Sequence, residues 1–342
     1  MSTGAKKGPS LFAQLRQSVF STLERYMGRY ITVHFRPIYS KDFNRISFST
    51  PTLPSYAVVL QGPLVIKNDF TLETVRIYKK TFPNAPLIVS TWSDAPADTI
   101  AALRAEGAEV VLSELPPYRG FGNSNYQIAS SVAGLRKAEE LGTTYVFKTR
   151  TDQRMYATDI YPFLYELIQS FPLANLGTLQ KRIVALGYST IKYRPYSLND
   201  MFFFGTLSDI KLYWDIPYDM REVPGKIQTI GEWQQHKGAE GYFLGTFLKN
   251  IGHDIQNTLE DFWGVLGNYF ILIDPSDIDW YWFKYTRYQE YHYRNYQKVI
   301  VGEEVSFKEW LMLQQGLAKF WPKPVNLENV PNDTHGTEVL FK

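Results

Sequence analysis

The residues best placed to do chemistry lie in the segment Lys148-Thr149-Arg150-Thr151-Asp152-Gln153-Arg154. Three cations alternate around one acid, directly after the apolar run Tyr145-Val-Phe. In a continuing strand, side chains alternate between faces, so Lys148, Arg150, Asp152 and Arg154 would share one face. Guanidinium groups there suit a pyrophosphate, and Asp152 suits a hard divalent ion, Mg²⁺ or Mn²⁺. The same residues can also simply close a strand end with salt bridges. Gln61-Gly62-Pro63 ends an earlier apolar run, Tyr56-Ala-Val-Val-Leu. Glycine there lets a ligand approach the backbone closely, and Gln61 can pair with a base or ribose; a plain turn is the alternative. Asp94 follows Ser90-Thr91-Trp92. It is a ribose acceptor by analogy with acids at other nucleotide-binding strand ends, or else a loop acid or cap. Asn123, Asn125 and Gln127 lie near a helix start, where amides and unpaired N–H groups bind sugar or phosphate, or where Asn125 only caps.

These segments need elements to hold them. Short apolar runs closed by turn signals predict strands at 56–61, 86–92, 109–113 and 144–149. Amphipathic spacing predicts helices at 69–82, 99–106 and 125–141. Strand and helix alternate at short intervals, which implies an α/β fold: a mainly parallel sheet with helices on both faces. Ligands on such sheets sit at the carboxyl ends of strands, where the three segments above fall. Beyond residue 155 the alternation loosens. A strand and turn are expected at 199–205, a helix with an acid in its first turn at 239–248, and a last strand at 270–274. Residues 280–296 hold nine aromatics. Tyr281, Tyr285, Tyr288 and Tyr291 recur at helical spacing and are expected to pack on the sheet.

The ordered set Leu60-Gln61-Gly62-Pro63, Ser90-Thr91-Trp92, Asn125 and Gln127, residues 148–154, and Phe203-Phe204-Gly205 resembles the WavE-type lipopolysaccharide-synthesis family over about residues 55–275. The resemblance implies a GT-A-like, Rossmann-related fold. It implies transfer of a hexose from a nucleotide sugar, uridine-linked, to a growing lipid-linked saccharide of lipopolysaccharide, O-antigen or capsule. Asp152 would then stand where GT-A enzymes carry an Asp-x-Asp motif. This chain has Arg150 and Asp152 where many have two acids, so Mn²⁺ or Mg²⁺ dependence stays open. Arg150 and Arg154, with Lys148, would bind pyrophosphate. Gln61, Gly62, Pro63, Thr91 and Asp94 would line the nucleotide pocket, with Asn125 and Gln127 nearby. Glu240, in the first turn of its helix, would be the catalytic base toward the acceptor, with Asp200 as its rival. His253 would be a late metal ligand of the kind some GT-A enzymes carry.

Composition bounds the rest. The chain has 342 residues, 44% hydrophobic and 20% charged, so it can bury a large core. It contains no cysteine, which removes disulfides, thiolate metal sites and cysteine nucleophiles. A net charge of +2 argues against a general nucleic-acid partner. No secretory signal is expected, and no apolar run is long enough to span a membrane, so a cytoplasmic enzyme is expected. Residues 1–36 carry Lys6, Lys7, Arg16, Arg25, Arg29 and Arg36 against Glu24 alone. Leu11, Phe12, Leu15, Val19, Phe20, Leu23, Tyr26 and Met27 repeat at helical spacing. Such a basic amphipathic helix docks on its own domain, joins a neighbouring one, or lies on the anionic inner face of a membrane. The expected organisation is an N-terminal helix and lead-in over 1–50, one domain over 51–330 and a tail over 331–342. A non-catalytic carbohydrate-binding module, or a piece of a larger polysaccharide polymerase, is the alternative function. A phosphate-loop transferase is disfavoured, because no G-x-x-x-x-G-K-[ST] segment occurs.

Overall fold

The computed structural model describes residues 11–28, 30–31, 33–47, 53–174, 177–222, 226–284 and 303–332. It divides into two units, Met1–Pro37 and Ile38–Lys342. The first unit holds helix α1 (Leu11–Met27), over the stretch where the helical period was read.

The second unit opens with the predicted alternation. Strand β1 (Tyr56–Gln61) leads to α2 (Phe70–Thr81), β2 (Leu87–Trp92), α3 (Ala97–Ala105), β3 (Glu109–Ser113), α4 (Ser124–Glu140) and β4 (Tyr145–Arg150). Then follow β5 (Gln153–Met155), α5 (Ile160–Ser170), β6 (Ile183–Leu186), β7 (Phe203–Thr206) and α6 (Leu207–Trp214). Last come α7 (Ile230–His236), α8 (Ala239–Asn250), α9 (Leu259–Tyr269), β8 (Phe270–Ile273), β9 (Trp280–Trp282) and α10 (Phe307–Gln314).

Seven strands form one sheet in the order β3-β2-β1-β4-β7-β6-β8. Of its six pairings, only the two made by β7 are antiparallel. The α/β fold with a mainly parallel sheet is therefore the one expected. Strands β1, β2 and β4 are apolar runs because both faces of such a sheet are covered; Val58, Val59, Ile88, Val89, Val146 and Phe147 are all fully buried. Helix α4 packs onto β1 and β2 through Gly134, where a Cβ would lie 2.4 Å from Val59 Cγ1. The chain leaves β1 toward β2 and β3 on one side and returns to β4 on the other. The crevice between β1 and β4 is thus the topological switch point, where open α/β sheets bind ligands.

Two expectations fail in the second half. The chain turns at Thr151-Asp152 after β4, and Gln153–Met155 leaves the main sheet to pair antiparallel with Trp280–Trp282. Alternation along one strand therefore does not run from Lys148 to Arg154. Residues 280–282 are also strand, not helix, because pairing with β5 satisfies their backbone. The other aromatic positions of that reading, Tyr285, Tyr288 and Tyr291, lie outside the described residues, as do residues 1–10 and 333–342.

Candidate functional site

Three structural features bring side chains to the carboxyl edge of the sheet. The first is the end of β4 beside the end of β1, in register at Gln61 and Arg150. Gly62 has φ +114°, a conformation L side chains rarely adopt, and Thr151 Oγ1 donates to Pro63 O at 2.5 Å. Arg150 and Asp152 form a fork: Nε donates to Oδ1 at 2.9 Å and Nη2 to Oδ2 at 3.0 Å. Trp282 Nε1 donates to the same Oδ2 at 2.9 Å, and its ring lies 5.7 Å from the Arg150 guanidinium. Burial alone would raise the Asp152 carboxyl, but the Arg150 and Trp282 bonds outweigh it and hold the group below the usual range.

The second feature is the start of β7. Because β7 runs antiparallel to β4, with Phe203 opposite Lys148, the residues just before it also lie at this edge. Asp200, buried, sits there. Its Oδ2 accepts from Gln127 Nε2 at 2.8 Å, and its backbone oxygen accepts from Lys148 Nζ at 2.6 Å.

The third feature is the N-terminus of α8. Gly122, just before α4, approaches Ala239 so closely that a Cβ on it would lie 3.3 Å from the Ala239 Cβ. That contact sets the first turn of α8, and with it Glu240, beside the first turn of α4, which carries Gln127. Glu240 is partly exposed yet hemmed in by protein. Burial raises its carboxyl above the ordinary value, the negative Asp200 raises it further, and Arg194 opposes both. Arg194 is itself buried, stacked 4.2 Å from the Trp233 ring, with its Nε unpaired. The Tyr213 hydroxyl is buried without a partner and pushed up by burial and by the charges of Asp200 and Glu240.

The structure therefore assembles Gln127, Lys148, Asp200 and Glu240 into one polar cluster and places Arg150–Asp152 at the end of β4. Arg154, Lys148, Gln61 and Asn125 are engaged within the fold. Arg154 is buried inside the unit: it donates to Thr74 Oγ1, Ile38 O, Tyr156 OH and Phe70 O, and stacks on Phe70 at 4.2 Å. A guanidinium so engaged is internal scaffolding, not a pyrophosphate ligand. Lys148 is fully buried over the Trp214 ring, 3.8 Å away, and burial lowers its amine well below the ordinary value. It orients Asp200 and has no route to a phosphate. Gln61 accepts from Ser130 Oγ at 2.6 Å, tying β1 to α4. Asn125 clamps the chain near Asp219: its amide donates to Tyr118 O and Asp219 O and accepts from Asp219 N. The Thr91 hydroxyl is buried without a partner, and Asp94 is exposed in the turn after β2.

A divalent ion at Asp152 does not fit these side chains. The carboxylate's charge is already paired with a guanidinium, and three N–H donors take most of its lone pairs, where a hard cation wants several anionic oxygens. His253 bridges Tyr269 OH at 3.1 Å and Asp261 Oδ1 at 3.0 Å, closing the end of α8. Among the described residues no three His, Asp or Glu side chains gather as a metal site. Asp274 and Asp277 form a capping box at the start of the turn after β8. An open cleft of about 460 Å³ lies elsewhere, between Ser40, Lys41, Glu73, Arg76 and Glu106. There Arg76 pairs with both Glu73 and Glu106. The sequence pattern carried no sign of Arg194 or Tyr213 and marked Trp282 only as one of the nine aromatics of 280–296. Local periodicity is weak at Arg194, and only burial singles out Tyr213.

Over residues 56–316 the chain matches the family model for WavE lipopolysaccharide synthesis. It belongs to that family. The WavE match takes in the whole main sheet, the Arg150–Asp152 fork and the Glu240 cluster. No curated protein matches the chain in sequence. Among solved structures it is similar to core-mannan synthase A of Aspergillus fumigatus in a Mn/GDP form, at 9% identity and TM-score 0.34, covering 73% of this chain and 81% of that one. It is similar to glucosyl-3-phosphoglycerate synthase of Mycobacterium tuberculosis with Mn²⁺, UDP and glucosyl-3-phosphoglycerate, at 14% and 0.30, covering 62% and 89%. It is also similar to a cytidylyltransferase of Leptospira borgpetersenii, at 12% and 0.30, covering 55% and 74%.

Proposed function

We propose that this WavE-family protein is a GT-A-like glycosyltransferase. It moves a hexose from a nucleotide sugar, uridine-linked, to a growing lipid-linked saccharide of lipopolysaccharide, O-antigen or capsule. The observation that carries this reading is the carboxylate pair Asp200 and Glu240 at the carboxyl edge of the sheet, near the Arg150–Asp152 fork. Glu240 has the raised proton affinity of a general base that must hold a proton once it has taken one. Asp200, oriented by Gln127 and Lys148, positions the acceptor hydroxyl. In an inverting transfer the acceptor oxygen bonds to the sugar's anomeric carbon as that carbon's bond to the diphosphate breaks. The diphosphate leaves with the bonding pair, and the hydroxyl proton passes to Glu240. Gly62 and Pro63 line the donor crevice with Arg150, and Asp94 lies at its nucleotide end.

The acceptor is lipid-linked, and among the described residues no helix is long and apolar enough to cross a membrane. We assign α1 and the basic residues around it to the anionic cytoplasmic face of the inner membrane, on the apolar spacing and positive charge of residues 11–36.

The test is release of nucleoside diphosphate from a panel of nucleotide hexoses, with truncated lipopolysaccharide as acceptor. One donor class is expected to turn over. Glu240→Gln is expected to lower kcat about 10²- to 10⁴-fold, the usual range for a lost general base, with donor affinity unchanged. Saccharide binding with no release from any donor would overturn the reading and leave a carbohydrate-binding module.

A further inference from the structure

We propose that this chain holds its donor's diphosphate without a divalent cation, with the Arg150 guanidinium standing in the cation's place. The inference rests on the glycosyltransferase reading and adds to it how the leaving group is held.

The geometry starts at Asp152. Three N–H donors meet its two oxygens, two from Arg150 at 2.9 and 3.0 Å and one from Trp282 at 2.9 Å. A metal arriving there would find one open lone-pair site, on Oδ1, of a carboxylate whose charge is already paired with a guanidinium in a bidentate fork. The fork is held from several directions. Trp282 is fixed by the β5–β9 pairing, which sets it opposite Gln153, and Phe283 N donates to Asp152 O at 2.9 Å. The Trp282 ring lies beside the guanidinium. Arg150 itself ends β4 in register with Gln61, so it stands next to Gly62 at the switch point.

The consequence is a cation whose orientation is set before any ligand arrives. A solvated arginine loses rotamer freedom on gripping an anion; here most of that loss occurs on folding. The planar guanidinium matches phosphate oxygens geometrically, whereas a lysine amine would act as a point charge. Asp152 is thus a positioning residue for Arg150 rather than a metal ligand. The diphosphate, leaving with the bonding pair, is met by a guanidinium whose position the fork fixes, a preorganised donor of the kind that lowers a transfer barrier.

The experiment is calorimetric titration of UDP, GDP, CDP and ADP into the full chain, once in EDTA and once in Mn²⁺. One diphosphate is expected to bind with nearly the same Kd in both buffers. Arg150→Ala is expected to weaken it about 10- to 100-fold, the loss of a charge-assisted contact. Arg150→Lys is expected to recover only part of that loss, with circular dichroism reporting that each variant is folded. Binding that EDTA abolishes and Mn²⁺ restores would overturn the inference on the wild-type chain alone, and would leave the glycosyltransferase reading standing. Absence of binding by every diphosphate in both buffers would overturn both.

Discussion

At the scale of the residue, two carboxylates of this edge have opposite electrostatics. Glu240 is raised by burial and by Asp200, so the acid limb of the pH–kcat profile is expected above the ordinary carboxylate range. Asp200→Asn removes the like charge and is expected to move that limb to lower pH while lowering turnover; an unmoved limb would take Glu240 out of the base role. Asp152 is held below its ordinary value by Arg150. A carboxylate with a depressed folded value adds stability above its unfolded value, and that stability is lost as pH falls through the folded one. Asp152→Asn is therefore expected to flatten the acid side of a stability-versus-pH curve read by urea unfolding. The same variant is expected to cut turnover strongly with the fold retained.

At the scale of the element, the site depends on two close fits remote from it. Helix α4 presents Gln127 only because Gly134 lets it sit on β1 and β2. Alanine there adds helix propensity worth about 1 kcal/mol. Its Cβ would also lie 2.4 Å from Val59 Cγ1 and 3.2 Å from Ser90 Cβ. Overpacking of that kind costs about 1–3 kcal/mol, so Gly134→Ala is expected to lower the unfolding free energy on balance. Val59→Ala in the same chain should relieve part of the loss, which a double-mutant cycle would read. The short β5 strand is fixed by Arg154, whose hydrogen bonds reach Ile38, Phe70, Thr74 and Tyr156. Arg154→Met removes these bonds; Thr74 Oγ1 and Phe70 O keep their bond to each other, so the cost is about 1–3 kcal/mol for each group that is left unsatisfied. The expected phenotype is a lower melting temperature with unchanged affinity for nucleoside diphosphate in the protein that remains folded. An affinity loss with the melting temperature unchanged would return Arg154 to the donor site.

At the scale of the whole molecule, the division at Pro37/Ile38 separates a basic helix from the α/β unit. Deleting residues 1–37 retains Ile38, whose carbonyl Arg154 uses. The truncated chain is expected to unfold within a few degrees of the full chain and to keep its nucleotide affinity. It is expected to lose sedimentation with vesicles containing anionic lipid, a loss that neutral vesicles should not reveal. Equal sedimentation of the two chains would remove α1 from the membrane reading.

Much of this architecture was legible before any coordinates, for a physical reason. Strands β1 to β4 and helices α2, α3, α4 and α8 announce themselves because apolar runs and helical periods follow from local backbone geometry and two-sided burial. Their order alone implied a mainly parallel sheet, and with it the edge where Gly62, Arg150 and Asp152 lie; Asp200 and Glu240 reach that edge through antiparallel β7 and the Gly122–Ala239 contact. Strands β5 and β9 were not legible. Each has only three residues, and their pairing joins Gln153 to Trp282 across a long stretch of chain. That pairing decided what the segment 148–154 is. It turned Arg154 inward and set an indole on Asp152. Burial beneath Trp214 likewise left Lys148 with a lowered amine. Whether a charged residue is a ligand or a strut depends on its neighbours in space, and for these residues the deciding neighbours are far away along the chain.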